Sequence, residues 1–195
     1  MSAVSWDAYA RLTPHTEEWY SAEPVQRERA EMIARRCVGT VLDVGGGGGY
    51  IAGLIRDRGN PVEVRDISRL RVDAAHTNGI PAQVADAEDL PDAHDSYDTV
   101  VLGEILEHLP NPGPALTEAC RVARRRVVIS LPLNGWADPT HRWRIRLDCV
   151  TDPAQHAQDP TKGEQIILTL ERGECWPPDY HREDPTWHEL FGDDQ

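Results

Sequence analysis

The stretch Thr40-Val-Leu-Asp-Val-Gly-Gly-Gly-Gly-Gly-Tyr50 places a short apolar strand directly before a run of glycines. An amphipathic helical pattern follows, so the glycines form the turn between a strand and a helix. Such a turn visits positive φ and lets the backbone approach a bound ligand closely, and glycine permits both. The free N–H groups at the start of the helix then point at that ligand. The pattern predicts a nucleotide-type cofactor site rather than a flexible linker.

Outward from this turn, apolar strands alternate with helical segments along most of the chain. This alternation is typical of an α/β protein, and it predicts a Rossmann-like, doubly wound, mainly parallel sheet with helices on both faces. Strands are predicted at 40–44, 61–66, 80–85, 98–102 and 126–131, and helices at 24–36, 48–58, 68–77 and 113–124.

The pattern becomes irregular after Pro132. Residues 164–171 form the one clear strand there, and the alternation at 142–147 fits either a further strand or the start of a helix. An irregular or shortened C-terminal part is therefore expected. We predict one domain with a core over 37–172, an N-terminal lid and helix over 1–36, and a tail over 173–195.

Composition narrows the possible partners and locations. The formal net charge of −13 disfavours binding to a nucleic-acid backbone, although arginines cluster at 121–126 and 142–146. No segment is apolar enough to span a membrane, and no secretion signal is recognisable, so a cytoplasmic protein is expected. The four cysteines form no close pair, which predicts reduced thiols.

Two cofactor fingerprints overlap in the glycine turn. Gly47, Gly49 and Ala52 fit the dinucleotide pattern G-x-G-x-x-A, and Asp66 falls near the position of its ribose-binding acid. The same stretch also reads Asp43-x-Gly-x-Gly-x-Gly49, with an acid two residues before the first glycine. This second reading resembles the first motif of class I S-adenosylmethionine-dependent methyltransferases.

Three further segments resemble the same family, and they follow in the family's order. They are Pro61-Val-Glu-Val-Arg-Asp-Ile-Ser68, Ala85-Asp-Ala-Glu-Asp-Leu-Pro91 and Ser96-Tyr-Asp-Thr-Val-Val-Leu-Gly-Glu-Ile-Leu-Glu-His-Leu-Pro110. The last is similar to the subgroup that methylates small molecules (type 11/12-like), and the resemblance covers about residues 36–133. One departure is the arginine-rich segment 121–126, where the family usually has a Lys-Pro-Gly turn before its fifth strand.

The resemblance implies S-adenosylmethionine as the cofactor and assigns roles to the strand ends. Asp66 would accept hydrogen bonds from both ribose hydroxyls, Asp86 and Ala87 would contact adenine, and Glu104 would lie at the methionine end. The full set of cofactor-binding residues that it implies is Asp43, Gly45, Gly47, Gly49, Asp66, Ile67, Asp86, Ala87, Gly103 and Glu104.

Two histidines are the candidate catalytic residues. His108 follows the fourth strand in Glu107-His108, a pair that borders the active site in the family, and His141 lies in the loop after the fifth strand. Histidine suits a general base near neutral pH, and both positions fall at the carboxyl edge of the sheet. Either residue can take the role, or each can have a merely structural one. The sequence shows no close metal-ligand spacing, so no metal is expected.

The sequence therefore predicts an enzyme that transfers a methyl group to an oxygen or nitrogen atom of a small molecule, with a sugar or natural-product intermediate preferred. A homodimer is a possible assembly. Two alternatives stay open: an NAD(P)-dependent oxidoreductase, and a non-catalytic cofactor-binding subunit that serves a partner. Trp6, Tyr9, Trp19 and Tyr20 precede the core without a helical period, which suggests a lid.

Overall fold

The computed structural model of the protein describes residues 6–12, 20, 22–132, 141, 156–159 and 163–172. Its helices are α1 (Trp6–Leu12), α2 (Pro24–Arg36), α3 (Tyr50–Asp57), α4 (Arg69–Thr77) and α5 (Pro112–Val122), with a 3₁₀ turn at Leu106–His108. Its strands are β1 (Val41–Val44), β2 (Val62–Asp66), β3 (Ala82–Val84), β4 (Tyr97–Gly103), β5 (Ala123–Pro132), β6 (His156–Asp159) and β7 (Gly163–Glu171).

The described strands form one sheet in the order β3-β2-β1-β4-β5-β7-β6. Strands β1 to β5 run parallel, and β7 is antiparallel to both β5 and β6. Val44 is paired with Arg65 on one side and with Leu102 on the other, so β1, β2 and β4 end at the same edge. The strand order reverses at β1, which is where open α/β sheets bind ligands.

Helices cover both faces of this sheet, which confirms the doubly wound prediction. Neighbouring residues of a strand point to opposite faces, and Val100 and Val101 accordingly belong to two separate hydrophobic clusters. Leu116 of α5 packs in the first cluster, whereas Ile33 of α2 and Ile55 of α3 pack in the second. Burying the central strands from both sides holds their carboxyl ends in a fixed arrangement.

The sheet has more strands after Pro132 than the sequence predicted. The predicted strand 164–171 is present as β7, and the sheet also contains β6, which the sequence did not predict. The segment His-Ala-Gln-Asp lacks the β-branched and aromatic residues that mark strands, and it becomes one by pairing with β7. The candidate at 142–147 and the tail 173–195 lie outside the described residues.

The arginine-rich junction before β5 contains no turn. Helix α5 ends at Val122, and Ala123 has extended dihedral angles, so the strand begins at the next residue. The predicted helix end at 124 and strand start at 126 are therefore corrected to 122 and 123. This direct connection replaces the family's usual turn, and it leaves the carboxyl end of β5 in place.

Carboxylates neutralise much of the arginine cluster at 121–126. Arg121 pairs with Glu118, Arg124 with Asp98, and Arg126 with Glu171. These ion pairs leave less positive charge for a phosphate backbone, and the expected absence of nucleic-acid binding stays a prediction. Across the described residues, no helix combines the length and apolarity that crossing a bilayer requires.

Candidate active site

A cavity of about 380 Å³ opens at the carboxyl edge of β1, β2 and β4. Its size is that of a small-molecule site, which typically measures about 300–1,000 Å³. Every predicted site residue except Gly49 lines it: Asp43, Gly45, Gly47, Asp66, Ile67, Asp86, Ala87, Gly103, Glu104, His108 and His141. The topology thus brings residues spread over a hundred positions of sequence to one surface.

Gly49 has a structural role instead. It is the N-cap of α3 with φ of +82°, a left-handed conformation that side chains rarely adopt. A Cβ on Gly49 would lie 3.0 Å from Cγ1 of Ile80, on the packed side of the turn. This glycine sets the direction in which the helix leaves the turn, and it is not among the described residues that face the cavity.

Gly46 is a functional constraint that the fingerprint does not mark. A Cβ there would lie 2.7 Å from Oδ2 of Asp43, and the neighbouring side chain of Val64 would also be crowded. The carboxylate of Asp43 therefore occupies the space that any larger residue at position 46 would need. The run of consecutive glycines was the available signal, because neither fingerprint accounts for all of them.

The carboxylate of Asp66 is held by two backbone donors. Its Oδ2 accepts a hydrogen bond from Gly47 N at 3.0 Å, and its Oδ1 accepts one from Ser68 N at 2.8 Å. Burial raises the pKa of Asp66, and the hydrogen bonds from Ser68 and Gly47 oppose that rise. A carboxylate has about four acceptor positions, so two remain for ribose hydroxyls. The geometry fits the role that the resemblance implies.

The part of the cavity formed by Ile67, Asp86 and Ala87, where adenine is expected, is open and partly apolar. Ile67 is 47% exposed, a large apolar side chain left uncovered beside Asp66. Asp86 is exposed and its Oδ1 accepts a hydrogen bond from Glu88 N at 2.9 Å, whereas Ala87 is buried. A flat aromatic base would cover Ile67 and reach the free acceptor positions of Asp86.

Asp43 is a buried carboxylate on the opposite side of the glycine turn. It is 1% exposed, and no described residue donates a hydrogen bond to its Oδ2. Burial and, less strongly, the charge of Asp66 raise the pKa of Asp43 to about 7, even though the charge of Arg29 acts to lower that pKa. A cationic group in the cavity would favour the ionised form.

Glu104 ends β4 in a strained conformation. Its φ is +53°, which is uncommon for a residue other than glycine and is often found at functional sites. Its Oε2 forms an ion pair with Nη1 of Arg29 at 2.8 Å. Burial acts to lower the pKa of Arg29, but Glu104 and Tyr20 more than compensate, so the guanidinium stays charged inside the protein.

Gln26 and Arg29 were missed by the sequence analysis. The apolar residues available for a buried stripe on α2 are Val25, Ala30, Ile33 and Ala34, but Val25 is only half-buried. Gln26 and Arg29 are buried instead and face the cavity. Their spacing from Ile33 follows the helical period, so two polar residues inside a buried stripe were the available signal.

The two candidate histidines lie next to each other. The ring centroids of His108 and His141 are 4.8 Å apart, and Trp6 packs edge-on against His108 at 6.0 Å. The buried carboxylate of Glu107 completes a group whose candidate ligand atoms all lie within 4.8 Å of one another. Two imidazoles and a carboxylate are also a donor set for a divalent cation, so the expected absence of a metal stays a prediction.

Helix α1 closes the cavity beside the histidines. Oδ1 of Asp7 accepts hydrogen bonds from Ser68 Oγ at 2.5 Å and from Leu70 N at 3.3 Å. The hydrogen bond from Ser68 is the main cause of a lowered pKa of Asp7, and the hydrogen bond from Leu70 lowers this pKa further. Tyr20 is buried and stacks on Tyr50, with ring centroids 3.8 Å apart. Trp19 and the side chain of Tyr9 lie outside the described residues.

This strand order and cavity are those expected for the fold of a class I S-adenosylmethionine-dependent methyltransferase. Residues 42–131 match the family model described as "Methyltransferase domain", and this match supports a class I S-adenosylmethionine-dependent methyltransferase. Members of this class use S-adenosylmethionine as the methyl donor. The matched segment contains β1 to β5 but not α1 or α2.

Comparison with individual proteins agrees with this assignment. The chain is 31% identical over 126 residues to a ubiquinone biosynthesis O-methyltransferase of Hahella chejuensis, a match that covers 61% of this chain and 51% of that protein. The chain thus spans about half the length of the curated relatives it matches.

Solved structures share the fold at low sequence identity. The PH0226 protein of Pyrococcus horikoshii has a TM-score of 0.62 and 16% identity, covering 86% of this chain and 99% of that one. A SAM-dependent methyltransferase from Archaeoglobus fulgidus has a TM-score of 0.58 and 18% identity, covering 74% and 70%. These two similarities concern the fold alone.

Proposed function

We propose that the protein transfers a methyl group from S-adenosylmethionine to an oxygen or nitrogen atom of a small molecule. A hydroxyl is the acceptor that the site suits best, and a sugar or natural-product intermediate is the substrate class that we favour. The observation that carries this proposal is one cavity that joins Asp66 and the glycine turn to the adjacent His108 and His141. The related O-methyltransferase from Hahella chejuensis supports the choice of oxygen.

In this reaction, residues of the chain would bind the cofactor, orient the acceptor and remove the acceptor's proton. The cofactor supplies an already activated methyl group, so the protein mainly aligns the acceptor and excludes water. Asp66 would hold the ribose, and Trp6 would shield the acceptor side. His108 or His141 would accept the hydroxyl proton as the oxygen attacks, a contribution typically worth about 10²–10⁴-fold. An amine that is neutral when bound needs no such base.

The sheet order argues against the dinucleotide alternative. Dinucleotide-binding sheets have the order 3-2-1-4-5-6. Here the antiparallel β7 lies between β5 and β6, which departs from that order. The other alternative, a non-catalytic cofactor-binding subunit, would have the same pocket as an enzyme. Only a measurement of activity can therefore distinguish the two.

Calorimetry with two ligands tests the cofactor first. We expect binding of S-adenosylhomocysteine and no binding of NADH, because the strand-end acids suit one nucleoside and an amino-acid group. The second test incubates the protein with methyl-labelled S-adenosylmethionine and matched hydroxylated and amine acceptors. Transfer of the labelled methyl group to a hydroxylated acceptor supports the proposal. Tight binding without transfer to any acceptor would favour the partner-subunit alternative, and binding of NADH alone would contradict the proposal.

A further inference from the structure

Unpaired polar atoms are concentrated at the α2 side of the cavity. Within the described part of the chain, no hydrogen-bond partner is found for five buried atoms there: Gln26 Nε2 and Oε1, Arg29 Nε, Asp43 Oδ2 and Glu104 Oε1. All four residues line the cavity. Buried polar groups are nearly always paired, so their concentration at one end of one cavity indicates a ligand that supplies the missing partners.

The chemistry of these atoms describes that ligand. Arg29 offers a donor, Asp43 and Glu104 offer acceptors, and the amide of Gln26 offers both. An α-amino-acid group presents a carboxylate and an ammonium on one carbon, and it needs donors and acceptors side by side. A purely anionic group would face the carboxylates of Asp43 and Glu104, and an apolar group would leave every atom unpaired.

Among these four residues, Gln26 has the fewest interactions with other described residues. Arg29 is already paired with Glu104 and reaches Ser130 Oγ at 3.4 Å. Gln26 is 1% exposed, and both of its amide atoms lack a partner among the described residues. Burying an unpaired amide is costly, and an apolar residue of the same shape would avoid that cost. A polar residue at this position therefore contributes nothing visible to the packing of α2.

We infer that Gln26 is a recognition residue for the α-amino-acid end of the cofactor. Its amide nitrogen donates to the carboxylate, and its amide oxygen accepts from the ammonium group. The inference rests on the proposed function, because it takes S-adenosylmethionine as the ligand. It extends the site to α2, which lies before the segment that the family model matches.

Two ligands that differ in the amino-acid group test this inference. S-adenosylhomocysteine has the group, and 5′-methylthioadenosine lacks it while keeping the adenosine and the sulfur. Gln26→Met should weaken S-adenosylhomocysteine by about tenfold or more, since hydrogen bonds to charged groups are lost. It should leave 5′-methylthioadenosine within about twofold. Gln83→Met makes the same change on exposed β3 and should leave both affinities unaltered.

Thermal unfolding without ligand separates recognition from packing. Because Gln26→Met removes an unpaired amide, the unliganded variant should melt at the same temperature as the wild type or higher. A lower melting temperature, or equal losses for both ligands, would overturn the inference. Gln26→Glu keeps the acceptor and removes the donor, so it should also lose S-adenosylhomocysteine selectively. If the wild type binds neither ligand, the proposed function itself fails.

Discussion

The two acids that flank the glycine turn differ in how the protein treats them. Asp66, on the side proposed to hold the nucleoside, has both carboxylate oxygens hydrogen-bonded to the backbone N–H groups of Gly47 and Ser68. Asp43, on the side proposed to hold the methionine group, is even more deeply buried, but its Oδ2 has no partner among the described residues. Asp66 thus has partners in the scaffold even without a ligand, whereas Oδ2 of Asp43 would gain a partner only from a bound group.

This difference extends to the neighbours of each acid. Around Asp66 the turn is organised by its own hydrogen bonds, so the ribose would enter a prepared site. Around Asp43, buried atoms of Gln26 and Glu104 are also unpaired. Buried polar groups without partners reduce stability, and a fold keeps them where a ligand satisfies them. The nucleoside side should therefore tolerate the absence of ligand better than the methionine side.

The largest effect on turnover should come from His108, which lies at the acceptor end of the cavity and not beside Asp43 or Asp66. His108→Gln cannot accept a proton near neutral pH, and we expect turnover to fall at least about a hundredfold. Cofactor affinity should be nearly unchanged, and the decline of rate toward acid pH should disappear. Steady-state kinetics and calorimetry measure the two quantities. His94→Gln, at an exposed position outside the cavity lining, is the matched control.

A metal ion would change the interpretation of that experiment. If the histidines act as bases, a chelator should leave the rate unaltered. Loss of activity on chelation, with recovery on adding a divalent cation, would instead assign a metal to Glu107, His108 and His141. Normal turnover in His108→Gln would transfer the base role to His141 or indicate an amine acceptor.

Asp66→Asn should sharpen the contrast between the two sides. The Asn side chain has only one acceptor oxygen. It therefore cannot accept hydrogen bonds from both Gly47 and Ser68 and also accept them from two ribose hydroxyls. We expect S-adenosylhomocysteine and 5′-methylthioadenosine to weaken together by about tenfold or more, because both contain the ribose. Calorimetry with both ligands provides the measurement. A selective loss of only one ligand would show that Asp66 does not contact the ribose.

Asp43→Asn should change the pH dependence of stability. Burial raises the pKa of Asp43 from the ordinary 3.8 to about 7 in the folded protein. Between these values the folded state holds a proton that the unfolded chain has lost, so the unfolding free energy falls as pH rises from about 4 to 7.

Because Asn does not titrate, Asp43→Asn should reduce the slope of the unfolding free energy against pH by up to about 1.4 kcal/mol per pH unit. Denaturant unfolding of the unliganded protein at several pH values measures the slope. Asp95→Asn, an exposed acid with an ion pair to Arg172, serves as the comparison variant. An unaltered slope in Asp43→Asn would mean that Asp43 is ionised in the folded state throughout this range.

The smallest effect concerns the attachment of α1. Asp7→Asn weakens the acceptor for Ser68 Oγ and Leu70 N, so α1 should detach more often while the core stays folded. We expect a few-fold rise in KM for the acceptor with little change in the melting temperature. Initial-rate kinetics measures this rise. An unchanged KM would argue that α1 is not a lid.

The local sequence was enough to predict the glycine turn, the parallel strands and eleven of the residues that line the cavity. Parallel strands joined by helices all end at one edge, so acids at or near the carboxyl ends of β1, β2 and β3 must meet there whatever the details of packing. Asp43, Asp66 and Asp86 could therefore be placed by chain order alone. The prediction for Gly49 was less accurate, because a glycine required for φ and one required for ligand access look alike in sequence.

Only the tertiary structure decided which residues from distant segments meet. His108 and His141 were separate candidates until the folded chain placed their rings side by side. Gln26 and Arg29 carry no motif, and their burial follows from how α2 packs on the sheet. Strand β6 exists because β7 offers it backbone partners, not because of its own residues. Contacts between distant segments depend on packing geometry, which a period or a motif does not encode.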